Sequence, residues 1–377
     1  MQNVSSSSIA IKLQQLFSLF QKGQVKLVLK ELKPLLISAS DNVDVMHLAA
    51  MAYKADGDID KAISYFNSAL KINDNQSQVH NNIANTYKQI SNSKLAELHY
   101  NKAIKLHPQY VDAIKNLGLL YLQDKKLTQA KECFLRVLNL SKNNISALTS
   151  LGNIYKAEHD FVAAIAYYKQ ALSVNPRYVN ALHNLGIAYR MTGDFSAAIK
   201  CFNEAKLIAP NISDIDFNEA NTQFDMGNYP AAEQAYWNAL RKAPDNCEVH
   251  ETLNEFYWQT GKKSEFGKSF KLAVEHLPND ARLRHAYAES LFSSGAKAQA
   301  SVVVEEALKL DKTPELLHLK GKFMAAEGDI KLAISVIEPA LLNEYKLSNA
   351  LDLIELLIID FDYDKMYADR EAASKVG

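Results

Sequence analysis

Apolar and small residues recur along this chain in a fixed order and at a fixed distance. Leu148, Leu151, Gly152, Tyr155, Ala164, Tyr168, Ala171 and Pro176 are followed by Leu182, Leu185, Gly186, Tyr189, Ala198, Phe202, Ala205 and Pro210, each 34 residues after its counterpart. A 34-residue ruler laid from residue 9 starts repeats at Ile9, Val43, Ser77, Val111, Ile145, Val179, Ser213, Cys247 and Ala281. A tenth begins near Pro314 after a one-residue slip, and a partial eleventh occupies 348–377. Within a repeat, positions 4, 7, 8 and 11 have the i, i+3, i+4, i+7 spacing of a helix with one apolar stripe, and positions 20, 24 and 27 mark a second helix. The pattern predicts an all-α solenoid of helical hairpins, each leaving an apolar face that only its neighbour can cover.

Glycine and proline fall on the same ruler. Seven of the thirteen glycines, Gly23, Gly57, Gly193, Gly227, Gly261, Gly295 and Gly328, stand at position 15, where a helix must end and reverse. In the third repeat Asn92 is expected to take that left-handed conformation. Gly118, Gly152, Gly186 and Gly321 stand at position 8, inside the first helix. Glycine costs about 1 kcal/mol there, so the two helices are expected to approach too closely for a side chain. Pro108, Pro176, Pro210, Pro244 and Pro278 stop the second helix at position 32. The ends deviate: Pro34 and Pro339 lie inside second helices, and the first repeat has Leu16 and Val28 where small residues are usual. The expected organisation is a disordered tail over 1–8, a solenoid of about ten repeats over 9–347, and a partial repeat or cap over 348–377.

Composition narrows the function by exclusion. A formal charge of −1 over 377 residues gives no reason to expect nucleic acid or an anionic membrane as partner. Met1 to Ser8 carries no signal-peptide pattern, and the apolar run Leu351–Phe361 is too short to span a bilayer. A cytoplasmic chain is the expectation. Three cysteines, Cys133, Cys201 and Cys247, do not make a disulfide framework and are expected to be reduced. No phosphate loop, His-Glu-x-x-His, Cys-x-x-Cys or Gly-x-Ser-x-Gly occurs, and the histidines are scattered. No catalytic residue, metal site or cofactor is expected.

The eight-position signature and its period resemble the tetratricopeptide repeat (TPR) family. The resemblance implies a right-handed superhelix whose first helices line a concave groove, with positions 2, 5, 6, 9, 12 and 13 pointing into it. Position 6 reads Asn82, Asn116, Ser150, Asn184, Asn218, and position 9 adds Asn85, Asn153 and Asn221. Asparagine is a poor helix former, and its amide can pair with a peptide unit of any sequence. The stripe is similar to the asparagine ladder in the TPR arm of O-linked N-acetylglucosamine transferases. Ala113, Asn116, Leu117, Gly118, Tyr121 and Ala181, Asn184, Leu185, Gly186, Tyr189 both follow that arm's motif. Position 12 runs Lys54, Lys88, Leu122, Lys156, Arg190, then Phe224, Trp258, Phe292, basic before aromatic. Glu251, Glu255 and Glu289 make the second half acidic.

These residues point to a non-catalytic scaffold that takes an extended polypeptide in the groove, acidic toward the N-terminal repeats and apolar or basic toward the C-terminal ones. The expected contacts are Asn82, Asn85, Asn116, Asn153, Lys156, Asn184, Arg190, Asn218, Asn221, Phe224 and Trp258. The alternative is the substrate-recognition arm of a larger enzyme, of glycosyltransferase, sulfotransferase or oxygenase type, with its catalytic domain outside this chain.

Overall fold

The computed structural model describes residues 6–343, and every regular element among them is helical. In chain order the first eleven helices are α1 (Ser6–Gln21), α2 (Val25–Ser38), α3 (Val43–Asp56), α4 (Ile59–Ile72), α5 (Ser77–Gln89), α6 (Ser93–Leu106), α7 (Val111–Gln123), α8 (Leu127–Leu140), α9 (Ile145–Ala157), α10 (Phe161–Val174) and α11 (Val179–Met191). The others are α12 (Phe195–Ile208), α13 (Ser213–Asp225), α14 (Tyr229–Lys242), α15 (Cys247–Gln259), α16 (Lys268–His276), α17 (Ala281–Ser293), α18 (Lys297–Leu310), α19 (Pro314–Glu327) and α20 (Ile330–Asn343). Apart from α16, second helices from the second repeat onward begin at position 17 of the ruler. The described chain forms two compact units that divide between Asp194 and Phe195. Within each unit, consecutive helices pack side by side as hairpins on neighbouring hairpins. Helix α1 starts at Ser6, so Ser6–Ser8, expected in the tail, are helical. The expected eleventh repeat over 348–377 lies outside the described residues.

Size complementarity holds each hairpin together. Position 20 is alanine in eight repeats, and Ala62, Ala96, Ala130, Ala164, Ala198, Ala232, Ala300 and Ala333 are all completely buried. Position 24 supplies the large partner: Phe66, Tyr100, Phe134, Tyr168, Phe202, Tyr236 and Phe270 are buried to the same degree. Each such ring contributes about 2–3 kcal/mol of transfer free energy.

The turns between helices follow one design. In the second repeat Gly57 is left-handed at φ 91°, and the amide of Asp58 donates to the carbonyl of Tyr53 at 3.0 Å. That bond is the 6→1 closure of a Schellman turn. The third repeat corrects the expectation for Asn92. The left-handed residue is Ser91 (φ 58°), with Lys125 (φ 58°) and His159 (φ 60°) in the next two repeats. Asn92 stands one residue later in an ordinary conformation and caps α6, its side chain accepting from the amide of Leu95 at 3.2 Å. The 6→1 bond is retained in all three repeats, so turn geometry is fixed by the hairpin, and non-glycine residues bear the left-handed cost.

Position 4 departs from the expected apolar stripe in five repeats: Lys12 pairs with Glu31 at 2.7 Å, and a shared contact explains three of the other four. Buried His80 and His250 each donate through Nε2 to the carbonyl at position 32 of the preceding repeat, Asp74 and Pro244, at 3.0 Å. Arg284 donates to the carbonyl of Pro278 in the same way at 3.0 Å, and its guanidinium pairs with Glu306 at 3.0 Å. A polar side chain here pairs a carbonyl of the loop that follows the second helix. Asp216 cannot donate; instead its buried carboxylate is paired with Lys242, with Lys206 at 3.9 Å. Because Nε2–H of His80 donates to Asp74, its Nδ1 accepts from Nδ1–H of His99, 2.9 Å away. Burial and the neighbouring ring push His99 down to about 4, and burial lowers His80 as well.

Candidate functional site

The expected site residues fall into three groups once placed. The position-9 asparagines form the first. Asn85 Oδ1 accepts from the Tyr100 hydroxyl at 2.6 Å, Asn153 Oδ1 from Tyr168 at 2.7 Å, and Asn221 Oδ1 from Tyr236 at 2.6 Å. Repeats with asparagine at position 9 have tyrosine at position 24, whereas Met51, Leu119 and Ile187 accompany Phe66, Phe134 and Phe202. The alternation therefore supplies each buried phenol with an acceptor. We expect Tyr100→Phe to cost about 1 kcal/mol and the double change Tyr100→Phe/Asn85→Leu to cost less, since it recreates its neighbours' pairing. Urea midpoints at constant slope check this; a double variant as unstable as the sum of both single changes contradicts it.

The position-6 asparagines form the second group and connect successive first helices. Asn82 pairs through Nδ2 with His47 Nε2 at 2.8 Å, and Asn116 Nδ2 donates to Asn81 Oδ1 at 3.2 Å. Asn184 Oδ1 accepts from Lys156 Nζ at 2.6 Å, while its Nδ2 donates to the Asn180 carbonyl at 2.8 Å. Asn218 donates to the Asp214 carbonyl at 2.8 Å. All four are half-buried. The amides therefore run from repeat to repeat in the first unit, with the first helices as their support. Beside Asn82, a cavity of about 660 Å³ lies between α1, α3 and α5, lined by Leu13, Phe17, His47 and Met51 among others.

The position-12 residues form the third group. Lys54, Lys88 and Lys156 are half-buried, and desolvation lowers the pKa of each. Among the described residues neither Lys54 nor Lys88 has a carboxylate within ion-pair distance. Arg190 continues the row as a half-buried side chain. The aromatic half divides. Phe224 packs edge-on against Phe256 at 5.9 Å, and Phe292 stacks on Phe323 at 4.3 Å. Both rings serve contacts to the following repeat, so Phe224 is a packing residue in this structure. Trp258 differs: it is 51% exposed, with Phe266 edge-on at 6.5 Å and Lys263 Nζ over its ring at 4.4 Å.

Other chemistry is sparse. Among the described residues no group of three histidine, cysteine, aspartate or glutamate side chains could hold a metal ion. None of the three cysteines is in a disulfide, and burial pushes Cys133 up to about 11. No described helix is long and apolar enough to cross a membrane.

Family models for the tetratricopeptide repeat match residues 43–76, 77–110, 99–132, 145–208 and 217–281, together more than half of the chain. The chain belongs to the tetratricopeptide repeat family. No curated protein matches it. Among solved structures, the APC/C hetero-tetramer Cut9–Hcn1 is similar, at 18% identity and TM-score 0.53 over 65% of this TPR chain and 48% of that chain. Pseudomonas aeruginosa PilF aligns at 22% identity and TM-score 0.49 over 53% of this chain and 91% of its own. YrrB, described as a TPR protein with an unusual peptide-binding site, aligns at 21% identity and TM-score 0.43 over 49% of this chain and 95% of its own. The likeness to Cut9–Hcn1 agrees with a helical-repeat solenoid.

Proposed function

We propose that this TPR chain is a non-catalytic scaffold that holds an extended, acidic polypeptide segment along the first-helix face of its N-terminal unit. The observation that carries the reading is the row of half-buried lysines, Lys54, Lys88 and Lys156, each 28 residues before a position-6 amide (Asn82, Asn116, Asn184), with Lys156 Nζ on Asn184 Oδ1 at 2.6 Å. A desolvated ammonium with no carboxylate partner is costly to the free protein, and an incoming carboxylate would offset that cost. The amides add donors and acceptors that do not depend on ligand sequence, and Asn116 Oδ1 has no described partner.

A display library of random dodecapeptides selected on the full chain tests this. The expected winners are rich in aspartate and glutamate, and their affinity falls by about tenfold or more in Lys54→Ala/Lys88→Ala. A comparable loss is expected in Asn116→Ala/Asn184→Ala, with binding weakening as salt rises. Peptides that bind both variants as tightly as the parent would overturn the assignment.

A further inference from the structure

The eighth repeat, unlike the second to seventh, the ninth and the tenth, breaks the size rule. Positions 8 and 20, small in its neighbours, are Asn254 and Phe266. After α15 the chain makes a 3₁₀ turn over Lys263–Glu265, passes through left-handed Gly267 (φ 75°), and starts the short α16 only at Lys268. Buried Asn254 holds this detour, accepting from the Gly267 amide at 2.9 Å and donating to Ser290 Oγ at 3.0 Å. At the detour lies a cavity of about 450 Å³ between α15 and α17, lined by Trp258, Phe266, Glu251, Glu255 and Glu289 among others.

The cavity is negative and aromatic. Among the described residues neither Glu251 nor Glu289 has a cationic partner, and Glu255 accepts only from Gln259, at 2.9 Å. Burial raises the pKa of Glu251, and the charges of Glu289 and Glu248 raise it further, so carboxylates crowd there without a counter-charge. The exposed ring of Trp258 already holds a cation of its own chain, Lys263 Nζ, at 4.4 Å. That placement is the geometry in which an indole face attracts positive charge.

We infer that this pocket in the eighth and ninth repeats is a subsite for an arginine side chain of a bound polypeptide. A guanidinium is planar and weakly hydrated, so it can lie on the indole face that Lys263 occupies and present its N–H fork to Glu251 and Glu289. Residues 251–290 thus provide what an arginine needs: an aromatic platform, two carboxylates without a cationic partner, and a cavity of sufficient volume for its stem. The inference rests on the reading of the chain as a polypeptide scaffold, but it involves different residues.

The test uses the full ¹⁵N-labelled chain and three capped tripeptides, acetyl-Gly-Arg-Gly-amide and its citrulline and lysine counterparts. The two indole N–H resonances are followed, with Trp237, which donates to the Tyr257 hydroxyl at 3.1 Å, as the internal reference. The arginine peptide is expected to shift the Trp258 signal saturably, with citrulline weaker by about tenfold or more. Glu251→Gln/Glu289→Gln is expected to lose the same factor while leaving the Trp237 signal in place. A Trp258 signal that does not move, or moves equally with citrulline, overturns the subsite, and a lysine peptide that binds as tightly overturns the guanidinium assignment. If lysine-row variants still lose the selected acidic peptides, the failure concerns this pocket alone. A tripeptide shift without any selected acidic peptide would instead count against the acidic segment.

Discussion

Gly152→Ala is expected to destabilise the ninth and tenth helices by about 2–3 kcal/mol, although alanine is the better helix former by about 1 kcal/mol. A Cβ at residue 152 would stand 2.5 Å from Cε1 of Tyr168 and 2.8 Å from its Cδ1 and Cζ. The ring cannot retreat easily. It is completely buried, and its hydroxyl is held by Asn153 on the same helix as the glycine. Relief therefore requires the two helices to separate, which loses contacts along their whole length. Gly118→Ala is the control. Its Cβ would meet Phe134 Cζ at 3.0 Å and Cys133 Cβ at 3.1 Å, and Phe134 has no hydroxyl anchored on the opposing helix. A few tenths of an ångström would suffice there, and the propensity gain leaves the change near neutral. Stability in a repeat array is close to a sum of local terms, so amide hydrogen exchange in α9 and α10 is the sharpest readout. Equal protection in both variants would show that the contact at Gly152 can relax.

The same pair of glycines marks what was legible in the sequence. The period, the position-8 glycines and the position-20 alanines led to the hairpins because each concerns size, and a missing side chain leaves a fixed mark every 34 residues. Position 4 was less legible because its requirement can be met in two ways. Ile114, Leu148 and Leu182 bury carbon there, while His80, His250 and Arg284 bury a donor aimed at a carbonyl. The alternation of asparagine at position 9 was visible but invited a ligand. Its structural partner was also visible, in the matching alternation of tyrosine and phenylalanine at position 24, fifteen residues away in each repeat. Ser91, Lys125 and His159 carry no sequence mark of a left-handed backbone, since hairpin closure imposes it. The site is less legible than the fold for a physical reason. A position-12 residue can pack on the adjacent repeat or stay exposed, and an aromatic fits both, as Phe224 and Trp258 illustrate.

Asn254→Ala carries the other large effect, about 2–4 kcal/mol confined to the eighth repeat. Removing the amide leaves the buried N–H of Gly267 without its acceptor and Ser290 Oγ without its donor, each a desolvation loss of about 1–3 kcal/mol. It also opens a void where a buried side chain stood. Alanine restores the small residue usual at position 8, yet regular packing cannot follow while Phe266 occupies position 20 and Gly267 disfavours helix. The triple change Asn254→Ala/Phe266→Ala/Gly267→Ala removes all three obstacles. It is expected to let the second helix begin near Lys263, four or five residues earlier than α16 does now. Exchange protection across 263–270 should then rise above the parent's, whereas the single change should lower it. If Asn254→Ala alone left that protection unchanged, the detour would be held by the turn and α16 themselves, and the amide would be a passenger. The prediction also separates fold from function in this repeat: the triple variant should be the more regular protein and the one without a pocket beside Trp258.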